Sequence, residues 1–181
     1  MKYTKETIKQ ILLKNPETQI IYFWRHQATP GTITETCLSQ WYNCTFEVEG
    51  QVYHTAEQFM MASKARLFND NEVLAKIMAA DDPHDYKKLG REIRGFEPTL
   101  WDANKCEIVA KGNKAKFGQN AELKEYLLST GNAILVEASP YDKIWGIGLD
   151  PQHAKQTTID QWQGEGLLGL VLMEVRDWLR G

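Results

Sequence analysis

The sequence predicts an α+β fold, mainly α-helical with a small β-sheet, built as a single domain over residues 1–181. Three observations predict it. Apolar residues recur at helical spacing through most of the chain, while only a few short runs have strand character. Helix-start signals stand at Thr55 with Gln58, at Asp82-Pro83 and at Pro98. Finally, 181 residues with 43% hydrophobic and 25% charged content suit one domain that buries a core without disulfides or metal.

Taken in order, Thr4 to Leu13 reads as a short helix with Ile8, Ile11 and Leu12 on one side. Gln19 to Trp24 reads as a buried strand, and the polar stretch Arg25 to Thr36, with Pro30-Gly31, as a loop. Thr45 to Val48 and Gln51 to Tyr53 form a hairpin joined by Glu49-Gly50. Thr55 and Gln58 make a capping box that opens a helix from Ala56 to about Phe68. A second helix covers roughly Glu72 to Ala79, and Asp82-Pro83 starts a third. Pro98 opens a longer one to about Lys116, Asn120 caps the next, and Thr130-Gly131 ends it. Ala133 to Glu137 is a strand, Ser139 to Glu165 mostly loop, and Gly166 to Leu179 an amphipathic closing helix.

The formal net charge of −3 argues against a protein whose main task is coating DNA or RNA, and leaves a local basic pocket open. Cys37, Cys44 and Cys106 lack the spacing of a disulfide framework or zinc site, so reduced thiols in a cytoplasmic compartment are expected. No window approaches the roughly 20 apolar residues of a membrane span. His26, His54, His84 and His153 show no ligand pairing, so no metal is expected.

In the helix after Thr55, positions 57, 60, 61, 64 and 68 share one face and read Glu57, Met60, Met61, Lys64, Phe68. Glu57 and Lys64 are nearly two turns apart, about 10 Å, too far to pair easily but close enough to reach one ligand. Two readings fit. In one, Lys64 lays its stem over apolar surface and Glu57 favours the positive helix start. In the other, burial depresses the lysine pKa and frees a nucleophilic amine.

Several segments, in order and at matching spacing, carry a resemblance. They are Leu38-Ser39-Gln40-Trp41-Tyr42 with Phe46 and Gly50, and Tyr53-His54-Thr55-Ala56-Glu57-Gln58-Phe59-Met60-Met61-Ala62-Ser63-Lys64-Ala65. Leu89-Gly90-Arg91, Trp101 and Lys116-Phe117 follow, then Leu135 to Gly148 with its Ser-Pro-Tyr-Asp-Lys-Ile-Trp-Gly-Ile-Gly run. Leu167-Leu168-Gly169 and Leu172-Met173-Glu174-Val175-Arg176 close the set. Together they cover about residues 20–179 and resemble the NADAR, or YbiA-like, family. One departure is Gly166, where the family usually has asparagine in the segment before Leu-Leu-Gly. It either removes a polar pocket contact or merely starts the last helix. Leu-Met-Glu-Val-Arg reads as core packing.

The resemblance implies a single-domain YbiA-like fold and an enzyme without cofactor. It implies an N-glycosidase that hydrolyses the bond between a base or amine and a phosphorylated ribose. The substrate types it implies are riboflavin-pathway ribosylamino intermediates or ADP-ribosylated guanine, the latter free or in nucleic acid; no membrane partner is implied. Lys64 is then the candidate nucleophile, Glu57 the acid/base, and Asp142 a further candidate for proton transfer or for binding ribose hydroxyls. Substrate-binding candidates are Ser39, Trp41, Trp101 and Trp145, the tryptophans as stacking walls or ordinary core, and Arg91 and Lys116 for phosphate or surface pairing. Gly146 and Gly148 are candidates for close backbone approach to a sugar or phosphate, in one pocket with Trp41 and Trp145. The alternative is a non-catalytic module that binds ADP-ribose or a related nucleotide. An interaction protein with a degenerate site and a cysteine enzyme are the remaining readings.

Overall fold

The computed structural model describes residues 1–27 and 31–181, so Pro30 of the expected Pro30-Gly31 turn lies outside the described residues. Along the chain stand α1 (Lys5–Lys14), β1 (Ile20–Phe23), a 3₁₀ turn (Glu35–Leu38), β2 (Phe46–Val48), β3 (Gln51–Tyr53), α2 (Ala56–Leu67) and α3 (Asn71–Ala79). They are followed by α4 (Pro83–Glu92), α5 (Pro98–Gln119), α6 (Ala121–Ser129), β4 (Ile134–Glu137), α7 (Pro151–Ala154), a second 3₁₀ turn (Ile159–Gln161) and α8 (Leu167–Arg180). The expected mainly helical α+β class with small sheets is what the chain adopts. It divides into two compact units, Gln40–Asn120 and the pair of segments Met1–Ser39 and Ala121–Gly181.

In the two-segment unit, β1 and β4 pair in parallel, from Ile20 beside Ile134 to Phe23 beside Glu137. Helix α8 seats on β4 because Gly169 has no side chain: a Cβ there would fall 1.9 Å from the Leu135 carbonyl oxygen. Every residue from Leu167 to Met173 is buried, so the first two turns of α8 have no polar face, and only the remainder is amphipathic as expected. Arg176 is also buried and donates to Thr130 Oγ1 at 2.8 Å and Ala133 O at 2.9 Å. A buried guanidinium needs such acceptors, and here they fix the turn between α6 and β4. The stretch read as mostly loop holds α7, whose N-cap Asp150 accepts from the amides of Gln152 and His153.

In the Gln40–Asn120 unit, β2 and β3 pair antiparallel, Phe46 beside Tyr53 and Val48 beside Gln51. Glu49 and Gly50 both have positive φ, 54° and 78°, the geometry of a two-residue hairpin turn. Helix α2 is central, packing on α3, α4 and α5, and is buried continuously from Ala56 to Ala62. Its neighbours give way with glycines: a Cβ on Gly90 of α4 would sit 2.0 Å from Met61 Sδ, and one on Gly112 of α5 2.5 Å from Phe59 Cδ1.

Thr55 caps α2 as expected, its Oγ1 accepting from Gln58 N at 3.0 Å. The return bond differs from a capping box: Gln58 Oε1 accepts from His54 N at 2.8 Å, one residue upstream. Asp82 and Pro83 open α4 as expected, and Asp70, unforeseen, caps α3. The Asn120 side-chain amide donates back to Lys116 O at 2.8 Å, so it closes α5 rather than capping α6 as expected.

Candidate active site

Lys64 lies in the last turn of α2, half-buried, and its Nζ donates to Gly90 O at 2.8 Å. Gly90 is in the final turn of α4, where carbonyls lack intrahelical partners, so the amine closes that helix end. The missing side chain of Gly90, filled by Met61, is what allows the close approach. Two rings flank the amine, Phe96 at 4.4 Å and Trp101 at 5.6 Å to their centroids. Phe96 is held by its turn: Asp70 accepts from Arg94 N at 2.9 Å and Arg94 Nε at 3.0 Å, and Arg94 keeps the Asp70 carboxyl far below the usual carboxylate range.

Burial pushes the Lys64 amine below the ordinary lysine pKa, and the Glu57 carboxylate pulls part of that shift back. Glu57 is only 4% exposed, and its own amide donates to Gln40 O at 2.9 Å. Gln40 in turn accepts at Oε1 from Asn113 Nδ2 at 2.8 Å, and Asn113 also donates to Val109 O at 2.9 Å. This buried amide pair connects the start of α2 to α5. Sequence reasoning missed Gln40, Asn113 and Phe96; a buried Asn on a long helix carries no distinctive spacing, and Phe96 is a lone aromatic in a turn.

Trp101 sits in the first turn of α5 beside Lys64 and is 9% exposed. Trp41 lies at the other end of α4, its ring 4.6 Å edge-on from His84, with Lys87 Nζ at 5.8 Å. Of the two cations assigned to phosphate, Arg91 is exposed on the last turn of α4. Lys116 is 0% exposed, its Nζ 5.0 Å from the Phe117 centroid and 5.6 Å from that of Tyr42. Its ammonium is therefore buried beside two aromatic rings. Burial raises the pKa of the nearby Cys44 thiol, partly offset by Lys116, which disfavours the thiolate a cysteine enzyme needs.

A groove of about 440 Å³ opens on the opposite side of α2, between Ser63, Arg66, α5 residues Glu107 and Lys111, and the hairpin. Lys64 and Glu57 are not part of its lining.

The remaining candidates belong to the other unit. Ser39 is buried and closes the Glu35–Leu38 turn. Asp142 Oδ1 accepts from Ile144 N at 2.9 Å and Trp145 N at 2.8 Å, shaping the loop that carries Trp145. A Cβ on Gly146 would stand 2.9 Å from Asp142 O, and one on Gly148 2.9 Å from Gln163 Cβ. Both glycines therefore serve packing of the chain against itself. Gly166 has φ 70°, the left-handed region that glycine and asparagine adopt most readily, so the departure from the resembled pattern keeps the backbone and removes an amide. Among the described residues, no group of three or more His, Cys, Asp or Glu is gathered as a metal site would need, and no helix is long and apolar enough to cross a membrane.

The NADAR domain profile matches residues 22–180. The chain is 45% identical over 161 residues to N-glycosidase R617 of Acanthamoeba polyphaga mimivirus, covering 86% of this chain and 95% of that protein. It is 30% identical over 162 residues to riboflavin biosynthesis protein VVA0006 of Vibrio vulnificus, covering 90% of this chain but 39% of that longer protein. N-glycosidase YbiA of Escherichia coli is 32% identical over 133 residues, 74% of each chain. The NMR structure of E. coli YbiA superposes with a TM-score of 0.73 at 28% identity, over 90% of this chain and 86% of that one.

Proposed function

The chain belongs to the NADAR family and is an N-glycosidase, and on that premise we propose that it cleaves ribosylated amines of phosphorylated ribose through an imine on Lys64. The observation that supports this most is the Lys64 amine: half-buried, depressed in pKa, and aimed by one hydrogen bond to Gly90 O. A neutral amine that spends one N–H on that carbonyl keeps its lone pair for attack.

The chemistry balances as follows. The exocyclic nitrogen lone pair expels the ring oxygen, which takes a proton and leaves an open-chain iminium at C1′. Lys64 Nζ adds to C1′, the nitrogen takes a proton, and the base or amine departs. Water then adds to the resulting Lys64 imine, and collapse frees the sugar aldehyde and restores the amine. Glu57 moves the protons: its carboxyl gives one to the ring oxygen, the resulting carboxylate takes one from the Lys64 nitrogen of the adduct, and that proton passes to the departing nitrogen. Trp101, beside the Lys64 amine, is the wall for the base, and Arg91 is the exposed cation for phosphate. The substrates that suit this route carry ribose on an exocyclic amine, as in riboflavin-pathway ribosylamino phosphates and ADP-ribosylated guanine.

A purely structural Lys64, closing α4, predicts a different outcome for one substitution. Lys64→Arg keeps the charge and a donor for Gly90 O but stays protonated. Under the imine route Lys64→Arg and Lys64→Ala lose activity equally, about 10³-fold or more, while Lys64→Arg keeps the wild-type melting temperature. Mass spectrometry of both substrate types measures the product, and borohydride added during turnover leaves a sugar adduct on Lys64. Substantial activity in Lys64→Arg with no trapped adduct rules the imine out.

A further inference from the structure

Because β1 and β4 are parallel, the chain leaves both strands at the same end of the two-segment unit. Two aromatic residues meet there. Trp24 directly follows β1, Tyr141 lies shortly after β4, and their ring centroids are 6.1 Å apart at 49°. The Arg25 guanidinium stands 5.5 Å from the Trp24 centroid. Tyr141 is 87% exposed, so the cluster turns a flat ring and a cation to solvent instead of filling a core.

The exposed ring is carried on a fixed backbone. Tyr141 N donates to Ser139 Oγ, and Asp142 accepts at Oδ1 from Ile144 and Trp145 and at its carbonyl from Gly148 N. The loop is then zipped to the segment before α8: Glu165 N donates to Lys143 O at 2.8 Å, Gly166 N to Gly146 O at 3.1 Å and Leu168 N to Trp145 O at 3.1 Å. A rigidly presented aromatic loses little freedom when a ligand lands on it.

We propose that Trp24, Arg25 and Tyr141 form a nucleotide-binding platform, with a nucleobase stacked on the aromatic pair and Arg25 pairing with the phosphate. The platform stands on this unit alone and does not depend on Lys64 chemistry. A base with its phosphate comes either as a free mononucleotide or as one unit of a single-stranded nucleic acid. Both present the same π face and the same anion.

The test is a binding titration of the full chain, followed by tryptophan fluorescence, so that it reads occupancy and not turnover. Adenosine monophosphate binds saturably. Tyr141→Ala weakens it about tenfold, the loss of one base stack, while Tyr141→Phe stays near wild type. Arg25→Gln weakens the monophosphate and leaves adenosine unchanged, and ribose 5-phosphate does not compete. A short single-stranded oligothymidylate identifies the source. Tighter, salt-sensitive binding that both variants weaken assigns the platform to nucleic acid; affinity no better than the mononucleotide assigns it to free nucleotide. Both altered side chains are exposed, so melting temperatures stay at the wild-type value. Absence of saturable binding, or unchanged monophosphate affinity in Tyr141→Ala and Arg25→Gln, overturns the proposal.

Discussion

In the Gln40–Asn120 unit the groups of chemical interest are side chains set by helix register. In the two-segment unit they ride on a loop whose shape comes from backbone hydrogen bonds. Glu57 and Lys64 sit seven residues apart on α2, and three packed helices hold them where burial alters the lysine's charge balance. Asp142 and Trp145 stand on a loop tied to residues 163–168 through main-chain bonds that any sequence of compatible size would make. Each unit is vulnerable in a different place. In the helical unit, the proposed chemistry depends on the charge of single side chains. In the loop unit, adding a side chain where a glycine packs changes the fold.

Removing one carboxylate from each unit has the largest expected effect. Glu57→Gln lowers kcat by about 10²–10⁴-fold, the usual range for a lost acid/base. Asp142→Asn keeps the Oδ1 acceptor for Ile144 and Trp145 and loses roughly tenfold or less, as for one weakened hydrogen bond. Steady-state kinetics with folded variants decide it, and a larger loss in Asp142→Asn shifts proton transfer to the loop.

A stability pair comes next. Alanine at Gly169 meets a strand carbonyl that cannot yield, whereas alanine at Gly90 meets the flexible end of Met61. Urea unfolding is expected to show a loss of about 3 kcal/mol for Gly169→Ala and about 1 kcal/mol for Gly90→Ala. Equal losses would show that the helical unit is as rigidly packed as the sheet contact.

The smallest effect is on pH dependence. The free Lys64 amine forms above its pKa, so kcat/KM rises with pH through a value lowered by burial. Phe96 stabilises the ammonium by its ring face. Phe96→Leu therefore moves the rising limb to lower pH, by about half a unit for a cation–π contact of 0.5–1 kcal/mol. A limb that stays in place, or moves upward, removes Phe96 from the account.

Local signals were legible because they act within a few residues. Thr55, Asp82, Pro83 and Pro98 mark helix starts by donating acceptors or removing donors at fixed offsets, and each start stands where it was read. The Glu49-Gly50 turn follows from the same short-range sterics. So does the common face of Glu57 and Lys64, since helix register is a property of spacing alone. The ordered motifs also made the family readable.

Partners were not legible, because they arrive from distant parts of the chain. Nothing local distinguishes Lys64, half-buried and closing α4, from Lys116, fully buried; packing alone separates them. Nor does spacing reveal that Gln40 and Asn113 meet, that Asp70 fixes the turn bearing Phe96, or that β1 and β4 pair in parallel. The start of α8 is apolar on all sides for the same reason. Its periodicity reported a helix, but only its seat against β4 determined how much of that helix is hidden from water. Sequence determined which elements form and which residues share a face, because those depend on backbone geometry over one or two turns. Tertiary structure decided which charges are desolvated and what they touch, because desolvation is a sum over neighbours that only the folded chain assembles.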